Sequence, residues 1–193
     1  VQRTARRAGL PVRQTGGFNP RPRMVVPLPL ETGTAALNDV LYIELDQNLE
    51  PEEALRRLNA VAPEGLSFKT ARDIEPVKRA PLVSGAIYRL SVRNAGIRVE
   101  PEAIKQFLEA ASVSFERDKQ GQKKTTDLRP SVRALWIEDG DLFAEISTKS
   151  GSYAKPHEVL SALTSRSLTD VVGVPVTRID TLLDTANSDD PSI

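Results

Sequence analysis

Apolar residues recur along the chain in short stretches whose spacing separates helices from strands. In the first half, helix-forming residues over 1–8 end at a Gly-x-Pro stop, and apolar residues recur at helical spacing over 51–61. Strands are predicted at 24–30, 40–45 and 66–74. Because the first helix already ends as the chain begins, we expect its start and a preceding strand to be missing.

The second half begins after a proline-bounded linker of mixed charge at 75–81. Its pattern predicts strand, helix, strand, strand, helix and strand, with one additional strand segment. This is the split βαβ order of a ferredoxin-like unit, in which two helices cover one face of an antiparallel sheet. The strands are predicted at 86–93, 113–117, 131–138, 142–148 and 174–182, and the helices at 102–111 and 156–172.

The two halves together predict an α+β fold of two tandem ferredoxin-like lobes, with antiparallel sheets and helices on one face. The lobes are predicted at 1–78 and 82–184, and the polar residues 185–193 are predicted to form a flexible tail. The chain holds 193 residues, 39% of them hydrophobic and 27% charged, and this balance fits two small folded cores. No apolar stretch is long enough to span a bilayer, and the absence of cysteine favours a reducing cytoplasm.

Charge is distributed unevenly, although 26 basic and 26 acidic side chains balance overall. Residues 1–30 contain six arginines and no carboxylate, and proline and glycine stiffen or bend the backbone around them. Arginine makes planar, bidentate contacts with phosphate, and Phe18 offers a ring on which a base can stack. A second basic segment covers 117–133. The predicted nucleic-acid-binding residues lie in these two segments: Arg6, Arg7, Arg13, Phe18, Arg21, Arg23, Lys123, Lys124 and Arg129.

Both basic segments also have simpler interpretations. In the first segment, Phe18 fills the core and the arginines are solvated or paired with the acidic residues of 31–80. A further alternative is that these arginines bind an anion other than nucleic acid. In the second segment, solvation of the three cations in a polar loop is the alternative to phosphate binding.

No recognisable catalytic or metal-binding constellation accompanies the basic segments. Gly16 and Gly17 lack the lysine of a phosphate-binding P-loop, and the carboxylates at 138–141 fit a hairpin turn. His157 is the only histidine, so we predict no metal site and no cofactor, and we expect its ring to be largely exposed at a helix start. A stand-alone hydrolase or transferase would need His157 in a cleft beside a carboxylate such as Asp127. We therefore predict a protein without catalytic activity of its own.

Five stretches of the chain, RRAGLPV, GFNPRPRM, PLPLETG, YIEL and LNAVAPEGL, together resemble the N-terminal half of an uncharacterised bacterial radical-SAM-linked family. Members of that family are domains of unknown function that occur alone or attached to the C-terminal side of radical SAM proteins. The resemblance is close from residue 6 to about residue 71 and diffuse thereafter. The chain lacks the family's usual His-Leu-Asp motif, and Arg21, Ala36, Asp39 and Tyr42 replace a histidine, a serine, a glutamate and an aspartate.

The resemblance implies an accessory role beside a radical SAM enzyme, because this chain has no three-cysteine cluster motif of its own. Family members in familiar gene contexts lie among RNA-processing and translation genes, which agrees with the arginine-rich segment. We therefore predict a non-catalytic RNA-binding accessory, or substrate-presenting adaptor, for a radical SAM RNA-modifying enzyme. The alternative is a protein-interaction module that docks on such an enzyme without touching nucleic acid.

Overall fold

The computed structural model describes residues 1–74, 82–119, 121–149 and 153–184. These residues form a mixed α/β structure with antiparallel and mixed sheets and few helices. The α-helices are α1 (Gln2–Arg7), α2 (Pro51–Ala60), α3 (Pro101–Glu109), α4 (Pro156–Thr164) and α5 (Leu168–Val171). The strands are β1 (Met24–Val25), β2 (Thr34–Ala36), β3 (Tyr42–Ile43), β4 (Val83–Leu90), β5 (Ser114–Lys119), β6 (Gln122–Asp127), β7 (Val132–Glu138), β8 (Asp141–Ser147) and β9 (Val176–Leu183).

Backbone contacts group these elements into two units. The first unit contains residues 1–27 and the described part of 41–80, and the second contains residues 28–40 and the described residues from 82 onward. The predicted lobes place residues 28–40 differently, because a local sequence pattern does not show which sheet a strand joins. The predicted linker at 75–81 and the predicted tail lie outside the described residues.

The first unit is built around two helices and one pair of very short strands. β1 and β3 pair antiparallel, with Met24 opposite Ile43. α2 begins at Pro51, and two glutamates follow in its first turn, where negative charge interacts favourably with the helix dipole. Leu58 of α2 packs with Ala5 of α1 in a small apolar core.

The strand predicted at 66–74 is absent, so that prediction is wrong. The side-chain amide of Asn59 on α2 instead binds the backbone of Phe68. It donates to the Phe68 carbonyl and accepts from the Phe68 N–H, both at 2.8 Å. Because a side chain already satisfies these backbone groups, they are not available to a strand ladder.

The second unit contains a five-stranded sheet with the order β2–β9–β4–β8–β7. β9, β4, β8 and β7 pair antiparallel, whereas β2 pairs parallel to β9. α3 lies between β4 and β7 in the chain, and α4 and α5 lie between β8 and β9. These four strands therefore follow the strand–helix–strand–strand–helix–strand order of a split βαβ unit. The β5–β6 hairpin is inserted between α3 and β7.

The core of the second unit lies on one side of its sheet. Along β4, Ala86, Tyr88 and Leu90 are buried, whereas the alternating residues Ile87 and Arg89 are only partly buried. The buried side chains pack with apolar residues of α3 and α4, including Phe107, Val159, Leu160 and Leu163. Helices therefore cover one side of the sheet, and the other side carries partly buried residues such as Ile87 and Arg89.

Two predicted elements of the second half differ from the observed ones. The basic segment predicted as a loop contains β6, which pairs with β5, and a short 3-10 helix at Arg129–Ser131. The helix predicted at 156–172 is divided into α4 and α5. Ser165 ends α4 in a left-handed conformation with φ of 52°, and Ser167 then caps α5 through Asp170.

Substituting Gly85→Ala should destabilise the second unit, because β4 and β8 approach closely at this position. A Cβ at Gly85 would lie 2.6 Å from the Ile146 carbonyl oxygen, which cannot rotate away. We expect the free energy of unfolding in urea to fall by about 1–3 kcal/mol. Gly173→Ala is the matched control, since a Cβ there meets no atom within 4 Å and should change stability by less than about 0.5 kcal/mol. If Gly85→Ala and Gly173→Ala changed the free energy of unfolding equally, β4 and β8 would not approach each other closely at Gly85.

Candidate nucleic-acid interface

The arginine-rich residues 11–25 form a hairpin whose base is braced by Glu44. Three backbone hydrogen bonds form a closed cycle among three chain segments. The Arg13 N–H donates to the Glu44 carbonyl at 2.8 Å, and the Glu44 N–H donates to the Arg23 carbonyl at 3.0 Å. The Arg23 N–H donates to the Arg13 carbonyl at 2.7 Å. The base of this arginine hairpin is therefore held by backbone bonds on both of its arms.

The side chains of Arg13 and Arg23 converge on the Glu44 carboxylate. Arg13 Nη1 lies 2.7 Å from Oε1, and Arg23 Nη1 lies 2.9 Å from Oε2. The hydrogen bond from Arg23 is the main reason why the pKa of Glu44 lies below its ordinary value. Arg13 and Arg23, which are two of the predicted phosphate contacts, therefore already pair with a carboxylate of the protein. This agrees with the alternative interpretation, in which the arginines pair with acidic residues of 31–80.

Phe18 lies at the tip of the arginine hairpin and is fully exposed, with a relative accessibility of 106%. The interpretation in which this ring fills the core is therefore wrong. Gly17 beside it has φ of 106°, a conformation that other residues rarely adopt, so the turn depends on this glycine. Thr15 closes the turn below the tip, since its N–H donates to the Arg21 carbonyl at 2.8 Å and its hydroxyl accepts from the Arg21 N–H at 2.9 Å.

Arg6, Arg7 and Arg21 are exposed and form no ion pair with any described residue. α1 buries Thr4 and Ala5, which leaves Arg6 and Arg7 in its last turn accessible to solvent. Cations in the last turn also interact favourably with the helix dipole. The first unit thus exposes these three arginines and the Phe18 ring to solvent.

The three predicted cations of the second unit have different surroundings. Arg129 is half-buried and donates to one backbone carbonyl at the end of α3, at 3.0 Å, and to another at the start of β7, at 2.6 Å. Its guanidinium therefore links two elements of the fold, and the predicted phosphate contact is occupied. Lys123 is exposed, but it lies 2.7 Å from Glu116 on the paired strand. Lys124 is exposed and forms no ion pair with any described residue.

Sequence reasoning missed a buried polar cluster in the second unit. Arg178 on β9 is 1% exposed, and its guanidinium forms two hydrogen bonds with the Asp39 carboxylate, at 2.7 and 2.5 Å. It also donates to the Leu28 carbonyl at 2.8 Å. Burial lowers the pKa of Arg178, but the hydrogen bonds and charge of Asp39 outweigh burial and raise this pKa above its ordinary value. No local pattern marks a pair separated by 139 positions.

Two tyrosines lie beside Arg178, with the Tyr88 and Tyr153 hydroxyl oxygens 2.7 Å apart. Burial raises the pKa of the Tyr153 phenol far above its ordinary value, so this phenol stays neutral at physiological pH. The cavity next to the two rings has a volume of about 10 Å³, which is room for a single water molecule. The cluster is therefore a packed structural network with no space for an organic substrate.

An ion pair between the partly exposed Arg117 and the buried Glu158 attaches the β5–β6 hairpin to α4. Arg117 forms two hydrogen bonds with Glu158, at 2.6 and 2.7 Å, and donates to the Tyr153 carbonyl at 2.6 Å. His157 lies one residue before Glu158 on α4 and is half-buried. Its Nε2 lies 2.8 Å from the Val174 carbonyl oxygen. The expectation of a largely exposed His157 is therefore wrong, because this ring holds α4 against the segment before β9.

A family model described as "Uncharacterized protein conserved in bacteria (DUF2344)" matches residues 1–156, which is most of the chain. The chain belongs to the DUF2344 family. No curated protein and no solved structure matches it. The DUF2344 match includes the arginine hairpin and the β5–β6 hairpin, so both predicted basic segments lie within the family region.

The described residues of this DUF2344 protein contain neither a metal-binding group nor a membrane-spanning helix. Within the described ranges, no three His, Cys, Asp or Glu side chains form a group suited to a metal ion. Each helix in the same ranges is too short or too polar to cross a membrane. The exposed arginines and Phe18 of the first unit are therefore the candidate that the geometry supports best.

Removing Asp39 should destabilise the second unit of this DUF2344 protein, because Arg178 then remains buried without its ionic partner. We expect Asp39→Ala to lower the free energy of unfolding in urea by about 3 kcal/mol. Glu109→Ala, at an exposed site at the end of α3, is the control and should change stability by less than about 0.5 kcal/mol. A similarly small effect of Asp39→Ala would show that buried Arg178 does not need Asp39 for the stability of the second unit.

Proposed function

We propose that this protein is a non-catalytic RNA-binding accessory that presents RNA to a radical SAM modifying enzyme. The observation that carries the proposal is the fully exposed Phe18 ring at the tip of the braced arginine hairpin. Burying such a ring in the core would contribute about 1.5–3 kcal/mol to stability, which this protein forgoes. A ring placed outward on a rigid support favours a contact with a partner, and a nucleic-acid base offers a matching flat surface.

The charge for this contact comes from Arg6, Arg7 and Arg21. Each arginine that neutralises a phosphate releases condensed counterions, which is the main electrostatic contribution to nucleic-acid binding. The guanidinium group also matches the geometry of phosphate oxygens. Arg13 and Arg23 contribute less, since Glu44 already neutralises part of their charge.

The exposed position of Phe18 favours single-stranded RNA over a duplex. In an A-form duplex the bases are stacked on one another, and side chains cannot reach them through the deep, narrow major groove. Unpaired bases in loops, bulges and ends are free to stack on an aromatic ring. We therefore place an unpaired base against Phe18 and the flanking phosphates against the arginines.

The radical SAM partner is proposed from the resemblance of the first half to a radical-SAM-linked family. Because this chain contains no cysteine, the iron–sulfur cluster of such chemistry would belong to the partner. We also propose that the second unit is a ferredoxin-like lobe, supported by the order β9–β4–β8–β7 and the helices between these strands. The same fold for the first unit stays a prediction.

Replacing Arg6, Arg7 and Arg21 together with alanine should remove most of the RNA binding. These changes delete the exposed charges while Glu44 still braces the arginine hairpin. We expect the affinity for a fluorescein-labelled single-stranded RNA, measured by anisotropy at low salt, to fall at least about tenfold.

The matched control replaces Arg98, Lys105 and Arg166, which are exposed cations of the second unit, with alanine. It removes the same formal charge and should bind the RNA within about twofold of the unchanged protein, because these cations are not part of the proposed contact. RNA binding that survives in the first variant, or that falls equally in the control, would place the contact elsewhere.

Neutralising Glu44 should have the opposite effect on RNA binding. Glu44→Gln removes the carboxylate that pairs with Arg13 and Arg23, so both guanidinium groups become available to phosphate. We expect RNA affinity to rise about threefold to tenfold and the salt dependence to steepen. Glu64→Gln, an exposed carboxylate of the same unit, is the control. Unchanged affinity in Glu44→Gln would mean that these two arginines do not face the RNA.

Docking on a protein without nucleic acid is the competing function, and the pairing of Arg13 and Arg23 with Glu44 favours it. Under this alternative, Phe18 is the principal contact, and Phe18→Ala weakens capture of the partner more than any arginine change does. Nuclease treatment separates the two functions. A partner retained equally after nuclease supports direct docking, whereas a partner lost after nuclease supports an RNA-mediated association.

A further inference from the structure

Three planar side chains form a row across the sheet of the second unit, on the side away from the helices. Arg89 on β4 lies opposite Phe143 on β8, and Phe143 lies opposite Trp136 on β7. The Phe143 and Trp136 rings are stacked, with centroids 5.3 Å apart and planes inclined by 16°. The proposed RNA contact of the first unit does not use this row.

Trp136 occupies the outermost position of the row. β7 is the end strand of the sheet, and no described strand pairs with its outer edge. Because Phe143 covers one face of the indole ring, the other face is directed toward the outer side of β7. The indole N–H lies 3.4 Å from the exposed carboxylate of Glu138, two positions along the strand. An aromatic face and a carboxylate therefore lie side by side at the sheet edge.

Carboxylates outnumber cations on this side of the four antiparallel strands. The pairs Arg133–Glu145 and Arg89–Asp141 have N···O distances of 3.3 and 4.0 Å. Glu138 forms no ion pair with any described residue. The strand residues that carry charge on this side are the cations Arg89 and Arg133 and the carboxylates Glu138, Asp141, Glu145 and Asp180. Pairing therefore leaves an excess of negative charge around the aromatic row.

We propose that this edge of the sheet binds an extended basic segment of a partner protein. The segment pairs along the outer edge of β7, which no described strand occupies, beyond Val132, whose carbonyl accepts from Arg129. One arginine of the segment lies over the outer face of Trp136, the side chain that attracts cations most strongly, and forms an ion pair with Glu138. The excess carboxylates complement the positive charge of the segment.

The charge on this side distinguishes its partner from RNA. A phosphate backbone would be repelled by Glu138 and its neighbouring carboxylates, whereas arginine or lysine side chains would be attracted. The inference does not rest on the proposed function of the first unit. The arginine variants of the first unit test only the RNA contact, so their result does not affect this proposal. In the same way, a negative result at the β7 edge does not affect the proposed RNA contact.

Trp136 is the only tryptophan of the chain, so its fluorescence reports directly on this site. We expect an acetylated and amidated octapeptide of alternating arginine and threonine to change the Trp136 fluorescence of the full chain in a saturable way. The same octapeptide with glutamate in place of arginine should leave the fluorescence unchanged, and so should octauridine RNA. A saturable response to octauridine would assign nucleic acid to this face and overturn the proposal.

Variants of the two contact residues test the geometry, with anisotropy of a labelled arginine octapeptide as the measurement. Glu138→Gln should weaken binding about twofold to fivefold, and Trp136→Leu at least about fivefold. Glu109→Gln removes an exposed carboxylate from α3 and is the matched control, with unchanged binding expected. Circular dichroism checks that each variant is folded. If Trp136→Leu is not folded, Glu138→Gln alone tests the contact.

A change in the peptide tests the pairing along β7. An octapeptide of the same sequence that is methylated at every backbone nitrogen has the same charge but cannot donate backbone hydrogen bonds. We expect it to bind at least about threefold more weakly than the arginine–threonine peptide. Equal weakening by Glu138→Gln and Glu109→Gln, unchanged binding in folded Trp136→Leu, or equal binding of the two peptides would overturn the proposal.

Discussion

A single buried guanidinium connects residues 28–40 to the sheet of the second unit. Arg178 is almost wholly excluded from solvent, and the Asp39 carboxylate and the Leu28 carbonyl are its hydrogen-bond acceptors. An unpaired charge at such a position costs several kcal/mol, so residues 28–40 stabilise the sheet by supplying these acceptors. A segment from the first half of the chain is therefore part of the second unit, where β2 also pairs with β9.

Charge pairing also decides which cations are available to a partner. Glu44 binds Arg13 and Arg23, and Glu158 binds Arg117, so these arginines organise the protein itself. The exposed cations of the predicted set that pair with no described residue are Arg6, Arg7, Arg21 and Lys124. The proposed RNA contact accordingly uses α1 and the tip of the arginine hairpin. The sheet edge of the second unit has the opposite charge, and the two proposed surfaces would hold different partners.

Local patterns predicted the strands of the second half because alternation there reflects burial on one side of a sheet; β7 and β8 lie within one residue of their predicted bounds. The strand predicted at 66–74 failed because Asn59 binds the backbone of Phe68, a contact that periodicity does not report. The site shows the same limit. The sequence left Phe18 open between a stacking surface and a core residue. It also did not reveal that Glu44 pairs with an arginine 31 positions away, because spacing does not identify such a partner.

The salt dependence of RNA affinity tests the central proposal most directly. The unchanged protein would be titrated into labelled single-stranded RNA at several salt concentrations, with anisotropy as the readout. If Arg6, Arg7 and Arg21 each contact a phosphate, the logarithm of the association constant should fall against the logarithm of salt with a slope of about −2, since each contact contributes roughly 0.7. Absence of binding, or binding that does not respond to salt, would contradict the account.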